Sequence, residues 1–311
     1  MALPPAPAEP PPIAGVRRSF IEARGVRFHV TEAGDPGGQP VLLLHGWPQH
    51  HYVWRRLLAE PPPGLRLIAP DLPGYGWSGP APHRWAKEDV ASDLLALLDG
   101  LGIERAVLVG HDWGGWIGWL LTLRAPERFS GYLALNIAHP WNTLRTFGPH
   151  AWRMALYQPL IAFLGVLLMR RTRFIEKLAL RRGVSDRSAF TPAEAAAFGD
   201  RFRDPVCARS ASQTYRTLLL HEMPRMARDP ESRRCTVPVR GVFGVDDVAI
   251  HVDMASPATA LADDYTLEKI EGCGHFIADE RPALVRERLL SLIAETPAEE
   301  TPAASLTQPR G

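Results

Sequence analysis

Cysteine is scarce in this 311-residue chain. The three present, Cys207, Cys235 and Cys273, are odd in number, far apart and free of any CxxC pair. That pattern excludes a disulfide framework and a cysteine-built zinc site. A surplus of charge is missing too: 35 Lys plus Arg meet 34 Asp plus Glu, leaving +1 and no global basic field for gripping nucleic acid. The opening MALPPAPAEPPPIAG has neither the basic n-region nor the apolar h-region of a secretory signal, and with so few cysteines the expectation is a cytoplasmic protein. Both ends are poor in core-forming residues. The Pro-rich stretch 1–18 and the polar stretch 295–311 are expected as disordered tails, since neither can bury enough surface to offset its ordering entropy.

What lies between them is rich in core formers: 46% of the chain is hydrophobic, enough for one large domain or one domain with an insertion. Apolar, β-branched runs at Val26–Thr31, Val41–Leu44, Leu65–Ala69, Ala106–Val109, Tyr132–Ile137, Val237–Phe243 and Tyr265–Ile270 read as strands. Several are separated by amphipathic stretches such as Val90, Leu94, Leu97, Leu98 and Leu101, whose spacing is helical. Strand and helix in alternation imply an α/β fold with a largely parallel sheet flanked by helices. The rhythm stops at about His139 and resumes after Thr236, with only helix-like segments between, punctuated by prolines from Pro149 to Pro230. The expected organisation is a core built from 19–138 and 237–294 with a helical cap, 139–236, inserted into it. From Trp141 to Thr236 there are 16 arginines and one lysine against eight acids, a net +9, so the rest of the chain carries about −8. A basic cap on an acidic base hides behind the near-neutral total.

Gly110-His111-Asp112-Trp113-Gly114-Gly115 follows the strand AVLV and opens the helix WIGWLLTL. A strand turning sharply into a helix forces the middle residue into a strained backbone position, and flanking glycines give it room. Asp112 is thereby presented as a nucleophile. Its bland alternative, the N-cap of the next helix, does not require small residues on both sides. Two further segments follow strands late in the chain: Gly244-Val245-Asp246-Asp247, then Gly272-Cys273-Gly274-His275-Phe276. His45-Gly46-Trp47-Pro48 follows the strand VLLL.

In these motifs, and in their order nucleophile, acid, histidine, the chain resembles the α/β-hydrolase fold, and most of all the soluble bacterial epoxide hydrolases, relatives of the haloalkane dehalogenases. The resemblance runs from about Ser19 to Ala294 and includes Asp71-Leu72-Pro73-Gly74-Tyr75-Gly76-Trp77-Ser78 and Glu280-Arg281-Pro282. It implies that His275 is the general base and that Asp247, rather than its neighbour Asp246, orients it. The backbone N–H groups of Trp47 and Trp113 are implied as the oxyanion hole, His45 as a structural hydrogen-bonding residue, and Pro48 as a cis proline. Gln213-Thr214-Tyr215-Arg216 is similar to the segment that carries a ring-opening tyrosine in epoxide hydrolases, with Tyr157 as a second candidate.

An aspartate nucleophile also limits the substrate. Attack on an ester or amide would give a reactive anhydride, whereas attack on a saturated carbon gives a stable ester, so the substrate needs an sp³ carbon bearing a leaving group. The expected function is hydrolysis of a small lipophilic epoxide to a vicinal diol through an aspartyl ester, with His-activated water in the second step. Haloalkane dehalogenation with the same nucleophile is the alternative. Trp47 tells against it, because it stands where dehalogenases usually place a halide-binding Asn. A catalytically weak ligand-binding homologue is the rival from outside enzymology, and the presence of Asp112, Asp247 and His275 together argues against it.

No cofactor is expected. Gly74–Gly79 matches G-x-G-x-x-G, but Pro80 and Pro82 follow where a helix should open. No metal site is expected either: Gln49-His50-His51 has no matching carboxylate or cysteine spacing and reads as pocket rim or surface. The apolar stretch Ala151–Met169, followed by Arg170, Arg171, Arg173, Arg181 and Arg182, has the make-up of an interfacial helix. Peripheral contact of the basic cap with anionic membranes, or attraction of carboxylate-bearing substrates, is one expectation. The other is that this helix lines a substrate tunnel while its arginines are simply solvated. Oligomeric state leaves no trace in the sequence.

Overall fold

The computed structural model describes residues 3–142, 148–256 and 261–296. Its sheet has eight strands: β1 (Arg17–Ala23), β2 (Val26–Gly34), β3 (Gln39–Leu44), β4 (Leu65–Pro70), β5 (Ala106–His111), β6 (Phe129–Leu135), β7 (Val239–Gly244) and β8 (Tyr265–Ile270). They lie in the order β1-β2-β4-β3-β5-β6-β7-β8, with β2 antiparallel to both β1 and β4 and all other neighbours parallel. This is the α/β-hydrolase fold. The central strands are buried along their whole length in β5 and β6, as parallel strands covered on both faces must be. Successive residues of β6 show the two covers: Gly131 faces Leu292 of the helix Pro282–Glu295, and Tyr132 faces Gly118 of the helix Trp113–Arg124.

β1 was not among the strands read from the sequence. Its residues RRSFIEA are mostly exposed, so it carries the charges of a protected edge rather than an apolar run. What makes it a strand is its partner, since the turn at Arg24-Gly25, both at positive φ, folds it back onto β2. The Pro-rich stretch before it forms no regular element from residue 3 to Val16, but the Trp77 indole donates to the Ala8 carbonyl (2.8 Å). Part of the expected free tail therefore touches the core. At the other end the last helix runs to Glu295, and the rest of the expected C-terminal tail, from residue 297, lies outside the described residues.

Between β6 and β7 the described residues form helices and no strand. The helix Ala151–Arg171 lies along the helix Pro205–Thr217, where Gly165 leaves room for Ser212 that a Cβ would close. Asp204 caps the second of these, and a Thr191/Glu194 capping box starts the helix Pro192–Arg201. Buried polar contacts fasten this insertion to the core. Arg55 bridges Asp279 (2.6 Å) and Glu194 (2.7 Å), and Lys87 Nζ meets Glu222 (2.6 Å) and the Thr214 carbonyl (2.7 Å).

Candidate active site

At the end of β5 the chain turns into the helix Trp113–Arg124 through Asp112, whose φ of 51° and ψ of −122° lie in a region that strains any residue with a β-carbon. The turn can be this tight because a side chain on Gly110 would strike the Gly114 backbone, and one on Gly114 would strike the carbonyls of Leu44 and His45. Asp112 occupies the N-cap position yet makes no capping bond. Its carboxylate is turned away from the helix and toward the loop leaving β3. There Trp47 N–H donates to Asp112 Oδ2 (2.8 Å), and the nearby backbone N–H of Trp113 helps to stabilise the carboxylate charge. Gly46 permits this approach, since any β-carbon there would overlap the Asp112 side chain. The Trp47–Pro48 peptide is cis. His45 is buried, accepts from Leu72 N–H at Nε2 (2.9 Å) and bonds the Gly46 carbonyl through Nδ1 (3.0 Å). Burial lowers its pKa to about 4, so it is a neutral brace for the loop.

His275 comes from the loop after β8. Its Nε2 lies 3.7 Å from Asp112 Oδ1, and its Nδ1 lies 2.7 Å from Asp247 Oδ2. Asp247, on the loop after β7, is fixed on every side: Oδ1 accepts the N–H groups of Ala249 (2.7 Å) and Ile250 (2.9 Å), and Oδ2 also accepts from Asn136 Nδ2 (2.9 Å). Asp246 is exposed and bonds Ser185. Of the two neighbouring acids, then, Asp247 is the one at the histidine.

Two supports escaped the reading of the sequence. Asn136, at positive φ just past β6, ties Asp247 to the Gly274 carbonyl (3.1 Å) and to Gly244 N–H (3.1 Å). His111, buried and held neutral by burial with a pKa near 3, donates Nε2–H to the His275 carbonyl (2.7 Å). Asn136 stands in no motif, and His111, although inside the elbow motif, has nothing in its spacing that points to the His275 carbonyl; a residue closing a parallel strand was the only available signal.

Burial dominates the electrostatics. It raises the Asp112 pKa to about 6, partly opposed by His275 and by the two backbone donors. Burial alone would lower His275, but the charge and hydrogen bond of Asp247, reinforced by Asp112, hold it at about 9. For Asp247 burial works upward and is overcome by His275 and Asn136, so its carboxyl stays below the usual range. The resting arrangement at neutral pH is an imidazolium between two carboxylates.

The insertion delivers both tyrosines to this site. Tyr215, fully buried, sets its ring edge-on to Trp47 (5.7 Å between centroids) and Trp113 (5.3 Å), the two residues whose amides hold Asp112. Tyr157 lies 6.0 Å from Tyr215, ring to ring. Burial raises the pKa of both hydroxyls, with the Asp112 charge adding to it, so both are protonated donors at neutral pH. Lys87, also missed in the sequence, sits 4.7 Å over the Trp113 ring while donating to Thr214, the residue before Tyr215.

His50 and His51 correct an expectation. They are neither rim nor surface but fully buried. Asp71 draws His51 inward through its backbone and Nδ1 (2.8 and 2.9 Å), also accepts from His29 Nδ1 (2.8 Å) and Trp77 N–H (3.0 Å), and so is the carboxylate that the sequence seemed to lack. His50 reaches the insertion, at the Ala197 carbonyl (3.2 Å). His29, His51 and Asp71 have metal-ligand composition, as do His150, His251 and Asp253 nearer the surface. In the first group Asp71 already accepts four N–H bonds, which a metal would have to displace. Neither group includes Asp112, Asp247 or His275. Around Asp71 the glycine-rich segment forms a turn, with Gly74 and Gly76 at positive φ and no helix opening after it, so it is no dinucleotide cradle.

A model of the alpha/beta hydrolase fold family matches residues 39–166. The AB hydrolase superfamily protein YfhM of Bacillus subtilis is 28% identical over 289 residues, covering 90% of this chain and 98% of that protein. Epoxide hydrolase 4 of Mus musculus is 40% identical over a shorter stretch of 122 residues, 39% of this chain and 34% of that protein, so this chain matches about a third of its length. Among solved structures, the epoxide hydrolase CorEH superposes with a TM-score of 0.72 at 24% identity, over 90% of this chain and 99% of that one, a likeness of fold. The chain has the α/β-hydrolase fold and is similar, over the stretches given, to epoxide hydrolases.

Proposed function

We propose that the protein hydrolyses lipophilic epoxides to vicinal diols through an ester on Asp112. The observation that carries this reading is a carboxylate, not a hydroxyl or thiol, at the elbow, with one oxygen on the Trp47 N–H and with Tyr215 and Tyr157 beside it. In the first step Asp112 Oδ1 attacks a ring carbon, the ring C–O bond breaks, and the electron pair passes to the ring oxygen. That oxygen takes the proton of Tyr215, with Tyr157 as the second donor, leaving a hydroxyalkyl ester and a tyrosinate. Esterification removes the Asp112 charge that helped hold the proton of His275. The imidazole is then free, after losing that proton to solvent, to act as a base.

In the second step water gives a proton to His275 and its oxygen attacks Asp112 Cγ. The tetrahedral oxyanion forms at Oδ2, where the Trp47 and Trp113 amides receive it. Collapse expels the alkoxide of the diol, which takes the proton of the regenerated carboxyl; the imidazolium proton returns to the tyrosinate, and a proton from solvent, replacing the one released earlier, restores the resting imidazolium. Asp247 keeps the ring oriented and supports its positive charge. The proposed partners are therefore a lipophilic epoxide and water, met by a cytoplasmic enzyme whose basic cap contacts a membrane peripherally. Turnover on a panel of aryl, terminal and fatty-acid epoxides, run beside 1-haloalkanes with detection of diol and halide, tests the reading. Diol from at least one epoxide class supports it, and halide release without diol overturns it.

A further inference from the structure

The helix Ala151–Arg171 is apolar on both sides, and only one side is covered. Met154, Gln158, Ile161, Ala162, Gly165 and Met169 are buried, at spacings of four, three, one, three and four that trace one helical face. On the opposite face Trp152 (58% exposed), Leu156 (70%), Phe163 (57%), Leu164 (52%) and Leu167 (61%) turn more than half of their surface to solvent. These are five of the nine large apolar side chains that are exposed among the described residues. From Trp152 to Leu167 the stripe is about 22 Å long at the rise of an α-helix. No acid occurs from Ala151 to Ile175, and the stripe ends in Arg170, Arg171 and Arg173, followed by Lys177, Arg181 and Arg182, all exposed.

We infer that this face docks on an anionic phospholipid surface. The geometry points to a helix lying in the interface plane, its apolar stripe in the acyl boundary and the cations at its end among the headgroups. It does not span the bilayer, because its other face is packed on the helix Pro205–Thr217. A second copy of the chain is the weaker occupant. The stripe offers on the order of 600 Å² of apolar surface, short of the ~800 Å² that each partner of a standard interface buries. Arg173 is already paired with Glu176 (3.4 Å), but pairing two stripes would bring Arg170, Arg171, Arg181 and Arg182 of both copies together against a helix that carries no acid, whereas anionic headgroups satisfy them. The same helix carries Tyr157 toward Tyr215, so the docked face and the candidate active site are separated by one helix. Resting on the reading of the site above, a lipophilic epoxide dissolved in the bilayer then reaches Asp112 from the lipid side. Docking itself does not depend on that chemistry.

Flotation of the full chain with phosphatidylglycerol-containing and pure phosphatidylcholine vesicles, at low and high salt, tests the inference. The expected result is recovery with the anionic vesicles, several-fold less with the neutral ones, and weakening in high salt as screening shortens the reach of the arginines. The double variant Leu156→Asp, Leu167→Asp, confined to exposed positions, should lose at least tenfold in vesicle binding while its circular dichroism and its turnover of a water-soluble epoxide stay unchanged. Negligible binding to both vesicle types overturns the inference. So does a wild-type dimer that the double variant dissociates, since the face would then belong to a second copy. Absence of epoxide turnover alongside normal flotation would remove the reaction and leave the docking.

Discussion

Asp112 places its two oxygens in different surroundings: Oδ2 accepts the Trp47 N–H at 2.8 Å, while Oδ1 lies 3.7 Å from His275 Nε2. In the proposed reaction the oxygen on the Trp47 N–H becomes the ester carbonyl and then the oxyanion, so a donor is in place before charge develops there. The other is left to attack. The division of labour within one carboxylate follows from the strained turn after β5 and from Gly46.

His275→Gln should leave ester formation within a few-fold of wild type and stop the second step, since only hydrolysis needs the base. Rapid mixing with an epoxide followed by intact-mass spectrometry should show the chain heavier by one substrate. An unmodified mass at full epoxide consumption would contradict the two-step scheme.

Tyr215→Phe should slow ring opening on the order of 10²-fold, the usual size of general acid catalysis. Tyr157→Phe should cost less. Trp47 and Trp113 flank the nucleophile, so quenching of tryptophan fluorescence reports the step directly. Displacement of a halide, which needs no proton donor at the leaving group, should be unaffected by either change.

Ester formation should fall with acid. Burial sets the Asp112 pKa at about 6, and below that value the carboxyl is protonated and ceases to be a nucleophile. The single-turnover rate is expected to be flat from about pH 7 upward and to drop tenfold per unit below about pH 5. A limb near pH 4 would mean that Asp112 is not buried as described.

The same shift makes Asp112 a cost to folding. A carboxyl whose folded pKa exceeds its unfolded value binds its proton more tightly when folded, so stability falls as pH rises through the window from 3.8 to about 6 and stays lost above it. Asp112→Asn should recover up to about 3 kcal/mol at pH 7 and raise Tm, with little gain at pH 3.5. Equal melting of the two proteins at pH 7 would argue against a buried anion.

Asn136→Ala removes one donor from Asp247 Oδ2 and its tie to Gly274. A hydrogen bond to a charged group contributes about 1.5–3 kcal/mol, and the loss should appear as a tenfold or greater fall in ester hydrolysis with ester formation spared. Slowing of both steps alike would mark Asn136 as part of the general fold rather than a support of the histidine's partner.

Much of this was legible in the sequence because it rests on local chemistry. Glycines beside Asp112, an acid and a histidine each following a strand, and unbroken apolar strands all announce themselves within a few residues. The parts that were not legible depend on what the fold brings together. β1 is a strand only because β2 lies beside it, and Asn136 has meaning only next to a residue 111 positions away. His50 and His51, polar and clustered, read as surface; Asp71, His29 and Trp77 make them interior. Lys87 stands in no motif, and only the fold buries it against Trp113.

The central claim is that the oxygen added to the epoxide comes first from Asp112 and only afterwards, through the regenerated carboxylate, from water. A single turnover in H₂¹⁸O with enzyme in excess, followed by peptide mass spectrometry over the elbow, tests it most directly. The expected result is unlabelled diol and one ¹⁸O in Asp112. Labelled diol with an unlabelled Asp112 would mean direct attack by water and would contradict it.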